Sequence, residues 1–212
     1  MNQEIKIPEK FLPPGAFPAI TKILSNQELD VKIVKSRSTK FADFNPPFGK
    51  KKIPLITINN NLNPYSFLLT LLHEYAHYLV WKDGHHYAKP HGKTWKNHFR
   101  VLIQFVMDRN IFPDELAPQI AQHIQNPGAT SCTDIKLFKK LSAFDGDRAG
   151  IFIDEIPDST LFHTPNGQLF KKEKKVRKRI LCTCQEKKKK YLFTPIYRVF
   201  PVKEQQYMLI FP

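Results

Sequence analysis

Apolar residues recur at helical spacing in five stretches and form short β-branched or alternating runs elsewhere, so the pattern predicts a chain of mixed α and β elements. Phe17, Ile20, Ile23 and Leu24 predict a short helix over 17–25. Val31 to Val34 alternates as a strand, and Lys40 to Phe44 is expected to return beside it. Ile53 to Asn59 is a stronger strand, rich in β-branched residues. It runs into Asn63 and Pro64, an N-cap and a first-turn residue that start a helix expected to span Pro64 to Lys82 and to stop at Asp83-Gly84. On that helix Leu68, Leu71, Tyr75 and Leu79 gather on one side, and Ser66, Thr70 and Val80 lie on the other with His73 and His77. A further helix follows His91 to about Asp108, with Trp95, Phe99, Leu102 and Val106 on its apolar side. A shorter one, Asp114 to Gln125, closes at Asn126-Pro127-Gly128.

The character of the chain changes after Gly128. Lys136 to Phe144 predicts one more helix, and the rest is short β-like runs punctuated by Pro157, Pro165, Pro195 and Pro201. Asn166-Gly167 between Leu161-Phe162 and Leu169-Phe170 signals a hairpin. Residues 1–15, with Pro8, Pro13, Pro14 and Gly15, read as an irregular arm. The organisation is therefore a domain over 1–128 and a small β-rich module over 129–212, without internal repeats.

Composition narrows the class. With 42% hydrophobic residues in 212 positions the chain is globular and long enough to bury a core. No stretch approaches the roughly 20 apolar residues of a membrane span, and the N-terminus has no signal-type apolar region, so no membrane partner is expected. Three cysteines do not make a disulfide framework, which fits a reducing cytoplasm, and a monomer is expected. The net charge of +14 points to polyanionic partners, the plain alternative being a basic balance that only keeps the protein soluble. Much of that charge falls in residues 171–190: Lys171, Lys172, Lys174, Lys175, Arg177, Lys178, Arg179, Lys187, Lys188, Lys189 and Lys190, against Glu173 and Glu186. With Phe170, Tyr191 and Phe193 alongside, this run suits a phosphate backbone with stacked bases, so nucleic acid, DNA in particular, is an expected partner.

The candidate chemistry lies in Leu71 to Phe99. His73, Glu74 and His77 form an H-E-x-x-H motif, which this composition produces by chance with odds of about one in a hundred, so its context matters. On a helix, histidines four apart share a face and can hold one ion together. Glu74 then lies beside the ion, where a carboxylate can take a proton from water. A catalytic zinc needs a third protein ligand, and His85, His86, His91 and His98 are candidates. The metzincin pattern fails, because Val80 and Asp83 stand where it requires Gly and His. A downstream glutamate, Glu115, lies beyond the next helix. His91 is better placed, because it follows Pro90 and Gly92 lets the backbone turn into the helix that follows.

HEYAH followed by a short polar loop and HGKTW resembles the SprT-like metallopeptidase family, the class that includes the spartan-type proteases of DNA–protein crosslink repair. The resemblance covers roughly residues 15–125. It implies a zincin-like α+β domain with a small antiparallel sheet, and makes His91, of the His91-Gly92-Trp95 pattern, the third zinc ligand beside His73 and His77. By analogy with zincin folds, the strand before the active-site helix borders the cleft, and substrate pairs with its exposed edge. Family members often carry a zinc ribbon in the tail. Cys182 and Cys184 sit where its first knuckle would be, but no cysteine or histidine follows Tyr191 to close it. Cys132 with His123 or His163 could join them, yet the expectation is a metal-free remnant with buried thiols and one zinc per chain.

The function expected is a zinc-dependent endopeptidase with Glu74 as general base, acting on proteins, among them those bound or crosslinked to DNA. The rival is a nucleic-acid-binding protein whose zinc site is structural or inactive. Glu74 speaks against it, since a structural site needs no carboxylate between its ligands. A metal hydrolase acting on something other than a peptide has the same spacing.

Overall fold

A computed structural model describes residues 7–37, 39–50, 52–128, 134–146 and 150–202, and these divide into two compact units, Met1–Gly146 and Asp147–Pro212. In the first unit a one-turn 3-10 helix at Glu9–Phe11 precedes α1 (Ala16–Leu24), β1 (Asp30–Val34), β2 (Ala42–Asn45), β3 (Leu55–Asn59), α2 (Pro64–Lys82), α3 (Lys93–Met107), α4 (Ala117–His123) and α5 (Ile135–Ser142). Of the segment expected to be an irregular arm, residues 1–6 lie outside the described residues and the rest is docked: Leu12 is buried and Phe11 stacks on Phe67 with ring centroids 5.4 Å apart.

The sheet is mixed, not antiparallel as expected. Its order is β1-β3-β2, with β1 parallel and β2 antiparallel to β3. β2 does not return beside β1, because β3 inserts between them. The reason lies in the residues: Ile56, Ile58 and Asn59 of β3 are buried, whereas the outer strands β1 and β2 have no fully buried position. The most apolar strand takes the centre.

α2 begins as the sequence predicts. The Asn63 side chain accepts a hydrogen bond from Ser66 N at 2.9 Å, and Pro64 opens the first turn. Its burial is wider than a two-faced pattern implies, since Phe67, Leu68, Leu69, Leu71, Leu72, Tyr75, Ala76 and Tyr78 are all buried. This helix is the axis of the unit, with α3 against one side and β2 and β3 against another. Leu137 and Leu141 of α5 belong to the same core. The Asn63 amide also donates to Leu141 O (2.9 Å) and Asp145 Oδ1 (2.7 Å). The division expected after Gly128 therefore moves to Gly146, because α5 packs as part of the first unit.

The second unit is a six-stranded sheet, β4 (Ile151–Phe152), β5 (Leu161–His163), β6 (Leu169–Val176), β7 (Arg179–Cys184), β8 (Lys190–Phe193) and β9 (Arg198–Pro201), in the order β4-β9-β5-β6-β7-β8. The Asn166-Gly167 turn joins β5 to β6, as its sequence predicts. Phe162, Phe170, Ile180, Cys182, Cys184 and Val199 form most of its core.

Candidate metal centre

The site is built from α2 and the start of α3. Tyr75 and Leu71 root α2 in the core, which turns His73 and His77 toward α3. The turn into α3 has an unusual backbone. His91 takes φ 57°, a left-handed conformation that histidine tolerates better than branched residues, and Gly92 is the N-cap of α3. A Cβ on Gly92 would stand 2.8 Å from Lys89 O, so the glycine is required by close approach of the chain to itself. The positive φ falls on the histidine, and this aims its ring back at α2. His91 Nε2 comes within 3.1 Å of His73 Nε2 and 3.0 Å of His77 Nε2. Among the described residues this is the group that could hold a metal ion, with its donor atoms all within 4.8 Å of one another.

Three imidazole nitrogens crowded together must be uncharged. Burial pulls His73 down to about 2, helped by His77, His91 and His123, and pulls His77 down to about 4, helped by His91. Burial also lowers His91. Each ring thus presents a lone pair at neutral pH, which is the form that binds metal. Zn–N bonds of about 2.0–2.1 Å in a tetrahedron put ligand nitrogens roughly 3.3 Å apart, close to the spacing here. Three histidines leave one position open, the donor count of catalytic and not structural zinc.

Trp95 is the floor of this cluster. Its Nε1–H donates to His73 O at 3.3 Å, and its ring centroid lies 4.6, 5.4 and 4.7 Å from those of His73, His77 and His91. The sequence marks Trp95 as apolar and as part of the His91-Gly92-Trp95 pattern; that it also fixes α2 through its indole N–H shows only in the fold. Phe99 stacks beneath it, and the buried His123 meets Phe99 edge-on while pairing with Asp134 at 3.1 Å.

Glu74 lies on the side of α2 that faces the sheet. Burial pushes its carboxyl up to about 7, and nearby Asp43 adds to this, against a hydrogen bond from the Phe44 backbone and the charges of Lys40 and Arg37. A carboxyl poised near neutrality can both take and return a proton. The strand beside it is β2, not β3, since β3 is paired on both edges and β2 is outermost. β2 is pinned by Asp43, which accepts from Arg37 Nη1 (2.6 Å), Thr57 Oγ1 (2.6 Å), Asn45 Nδ2 (2.8 Å) and Lys40 Nζ (3.0 Å). Burial alone would raise the Asp43 carboxyl, but these four donors hold it well below the usual carboxylate range. Nothing in the local sequence pattern flags that network.

The other candidates stand apart. His85 and His86 are exposed, His98 pairs with Asp83 at 3.1 Å, and Glu115 is exposed beyond α3. Lys172 is not an available cation: it is buried, with Nζ donating to Ile156 O at 2.6 Å and lying 3.3 Å from Asp158 Oδ1. The parity of β6 turns it into the core, opposite Cys182. Lys171 is half-buried, whereas Lys174, Lys175, Arg177, Lys178, Arg179 and Lys187 to Lys190 are exposed. They form two groups, one at the β6–β7 tip and one at the β7–β8 turn, at opposite ends of β7. Cys182 and Cys184 are buried and free, and burial pushes the Cys182 thiol up to about 12. Cys132 lies outside the described residues.

The fold and the cluster define an α+β domain whose HExxH helix and following helix start bring three neutral histidines to one point. Residues 30–112 match the family model of the SprT-like family. That family is one of zincin-type metalloproteases, a class that implies a bound metal, zinc. No curated protein and no solved structure matches the chain. Among the described residues no helix is long and apolar enough to cross a membrane.

Proposed function

We propose that the first unit is a zinc-dependent endopeptidase in which His73, His77 and His91 hold the metal and Glu74 is the general base. The observation that carries this reading is the meeting of the three Nε2 atoms within reach of one ion, on a helix that carries Glu74 directly after His73. Zinc, when bound, supplies Lewis acidity, lowering the pKa of a water toward 7 and polarising a carbonyl. The chain supplies the rest. Glu74 accepts a proton from the attacking water and returns it to the leaving amine. Trp95 holds the three rings in place and keeps water from their inner faces. β2, fixed by Asp43, offers its outer backbone groups to an extended polypeptide, so the pairing expected for the strand before α2 passes to β2.

The finer part of the proposal concerns partners. The exposed lysines and arginines at the two ends of β7 suit a phosphate backbone, and nucleic acid bound there would bring the protease to DNA-associated proteins. Lys172 is excluded from this set. The test is zinc content and cleavage of casein, a loosely folded protein, by wild type and Glu74→Gln, with and without duplex DNA. Equal zinc in both, with cleavage by wild type alone, supports the reading; equal cleavage by both removes Glu74 as the base. For the DNA arm, four to six phosphate contacts give a slope of log affinity against log salt of roughly 4 to 5, which Lys187 to Lys190 reversed to glutamate should flatten. Salt-independent binding overturns that arm and leaves the protease standing.

A further inference from the structure

Two loops of the first unit, 46–54 between β2 and β3 and 83–92 between α2 and α3, border one cavity of about 630 Å³. Lys52 of the first loop and His86 of the second both line it, together with Tyr78, Trp81 and Lys82 from the end of α2. Trp81 stands one turn past His77, and its ring meets that of His86 with centroids 6.0 Å apart. The lining carries two lysines against one carboxylate, Glu28. Lys82 Nζ donates to Gln27 Oε1 at 2.7 Å, and the Tyr78 hydroxyl donates to the same oxygen at 3.3 Å. That partner is a neutral amide, so the bond leaves the charge of Lys82 in place.

Both loops repeat this pairing of ring and charge at the rim. Phe48 is 89% exposed and Tyr87 102%, the two most exposed aromatic residues among those described, and an exposed lysine stands two positions after each, Lys50 and Lys89. A ring left in water gains by stacking, and a lysine gains by meeting an anion. The ligand that offers both in regular alternation is a polynucleotide with unpaired bases. In a duplex the base faces are already stacked on one another and out of reach. The cavity volume falls within the roughly 300–1,000 Å³ of small-ligand sites, enough for a nucleotide, and Asn26 and Glu28 in its lining suit the polar edge of a base. A lipid surface would accept the two exposed rings but has no group to set into a polar cavity. An acidic peptide would satisfy the lysines and leave Trp81 unused.

We infer that this cavity and its two rims form a binding site for an unpaired stretch of nucleic acid, with one base against Trp81, further bases on Phe48 and Tyr87, and phosphates at Lys50, Lys52, Lys82 and Lys89. The site belongs to the first unit and uses none of the residues at the ends of β7. It rests neither on the endopeptidase reading nor on the basic run. Because Trp81 follows His77 by about 6 Å along α2, a strand held here lies close to the metal centre, and whatever is attached to that strand is concentrated there too.

The test uses the full chain, metal-free, with Lys187 to Lys190 reversed to glutamate to weaken the β7 group, and a strand of about twelve deoxythymidines. Of the two tryptophans Trp95 is buried, so quenching of emission reports Trp81, with Trp81→Phe as the blank. The strand should quench this protein and wild type alike. Phe48→Ala and Tyr87→Ala remove rings that stand almost wholly in water, so the fold is kept, and each should weaken the quenching titration roughly fivefold or more. Lys52→Glu should weaken it at least tenfold. An abasic strand of the same length keeps the phosphates and loses the bases, and it should bind at least tenfold more weakly, as should a duplex. Absence of quenching in the charge-reversed protein overturns the site. Equal binding of the abasic strand or the duplex reduces it to an anion patch and overturns it as well. Quenching by phosphatidylserine vesicles or by polyglutamate, but not by the deoxythymidine strand, assigns the surface to a membrane or an acidic protein and sinks the inference. Because no arm involves zinc or cleavage, the protease stands or falls separately.

Discussion

Glu74 shows how a single residue carries both function and a stability penalty. Its folded-state pKa is raised, chiefly by burial, from an ordinary 4.5 to about 7. For an acid this sign means that folding opposes ionisation: the penalty is absent below about 4.5 and complete above about 7. In metal-free protein, Glu74→Gln should therefore be more stable than wild type at pH 8, by up to about 3 kcal/mol, and the gap should close by pH 4. Urea denaturation of both proteins at the two pH values checks this; a gap that is the same at both would show that charge is not its cause. At this scale the sequence was highly legible. His73, Glu74 and His77 declare themselves by spacing, and His91 by its place before a glycine and a helix. The reason for that glycine was hidden, because a clash with Lys89 O depends on a turn whose path no local pattern specifies. Lys172 was misleading for a related cause: among eleven basic residues, only strand parity distinguishes the one that points inward.

Secondary elements were legible wherever periodicity ran long, and their partners were not. α2 begins and ends where the caps in the sequence put it, since Asn63, Pro64 and Gly84 act over a few bonds. Strand order depends on which strand is most buried when all three meet, so β3 took the centre that neighbouring sequence assigned to no one. Asn63 shows the same divide within one side chain. Its oxygen caps α2, as read from sequence, while its amide reaches Leu141 O and Asp145, some eighty residues away. Asn63→Ala should lose both roles and cost about 1–3 kcal/mol in urea denaturation. Asn63→Asp keeps the cap but sets an oxygen against Leu141 O and Asp145, so it should be destabilised at neutral pH as well. Wild-type stability in the Asp variant would mean that the link to α5 contributes nothing.

Over the whole molecule, Pro127-Gly128 looked like a division because it punctuates the chain, yet the core does not end there: Leu137 and Leu141 close it from the far side. Punctuation reports local backbone freedom, and compactness reports where apolar faces find cover. The position of β8 has a consequence of a different kind. Among the described residues it is the last strand of its sheet, with Leu192 56% exposed and Tyr191 39% exposed, so it presents an outer backbone edge beside apolar surface. Such a border is a template on which a second molecule can stack, and lysines are a common guard against it. Lys187 to Lys190 stand at the entry to this strand. Replacing all four with glutamine should make light scattering rise with protein concentration, whereas the glutamate version, equally charged in magnitude, should stay dispersed. The lysines would then keep copies of the protein apart whether or not any polyanion is present.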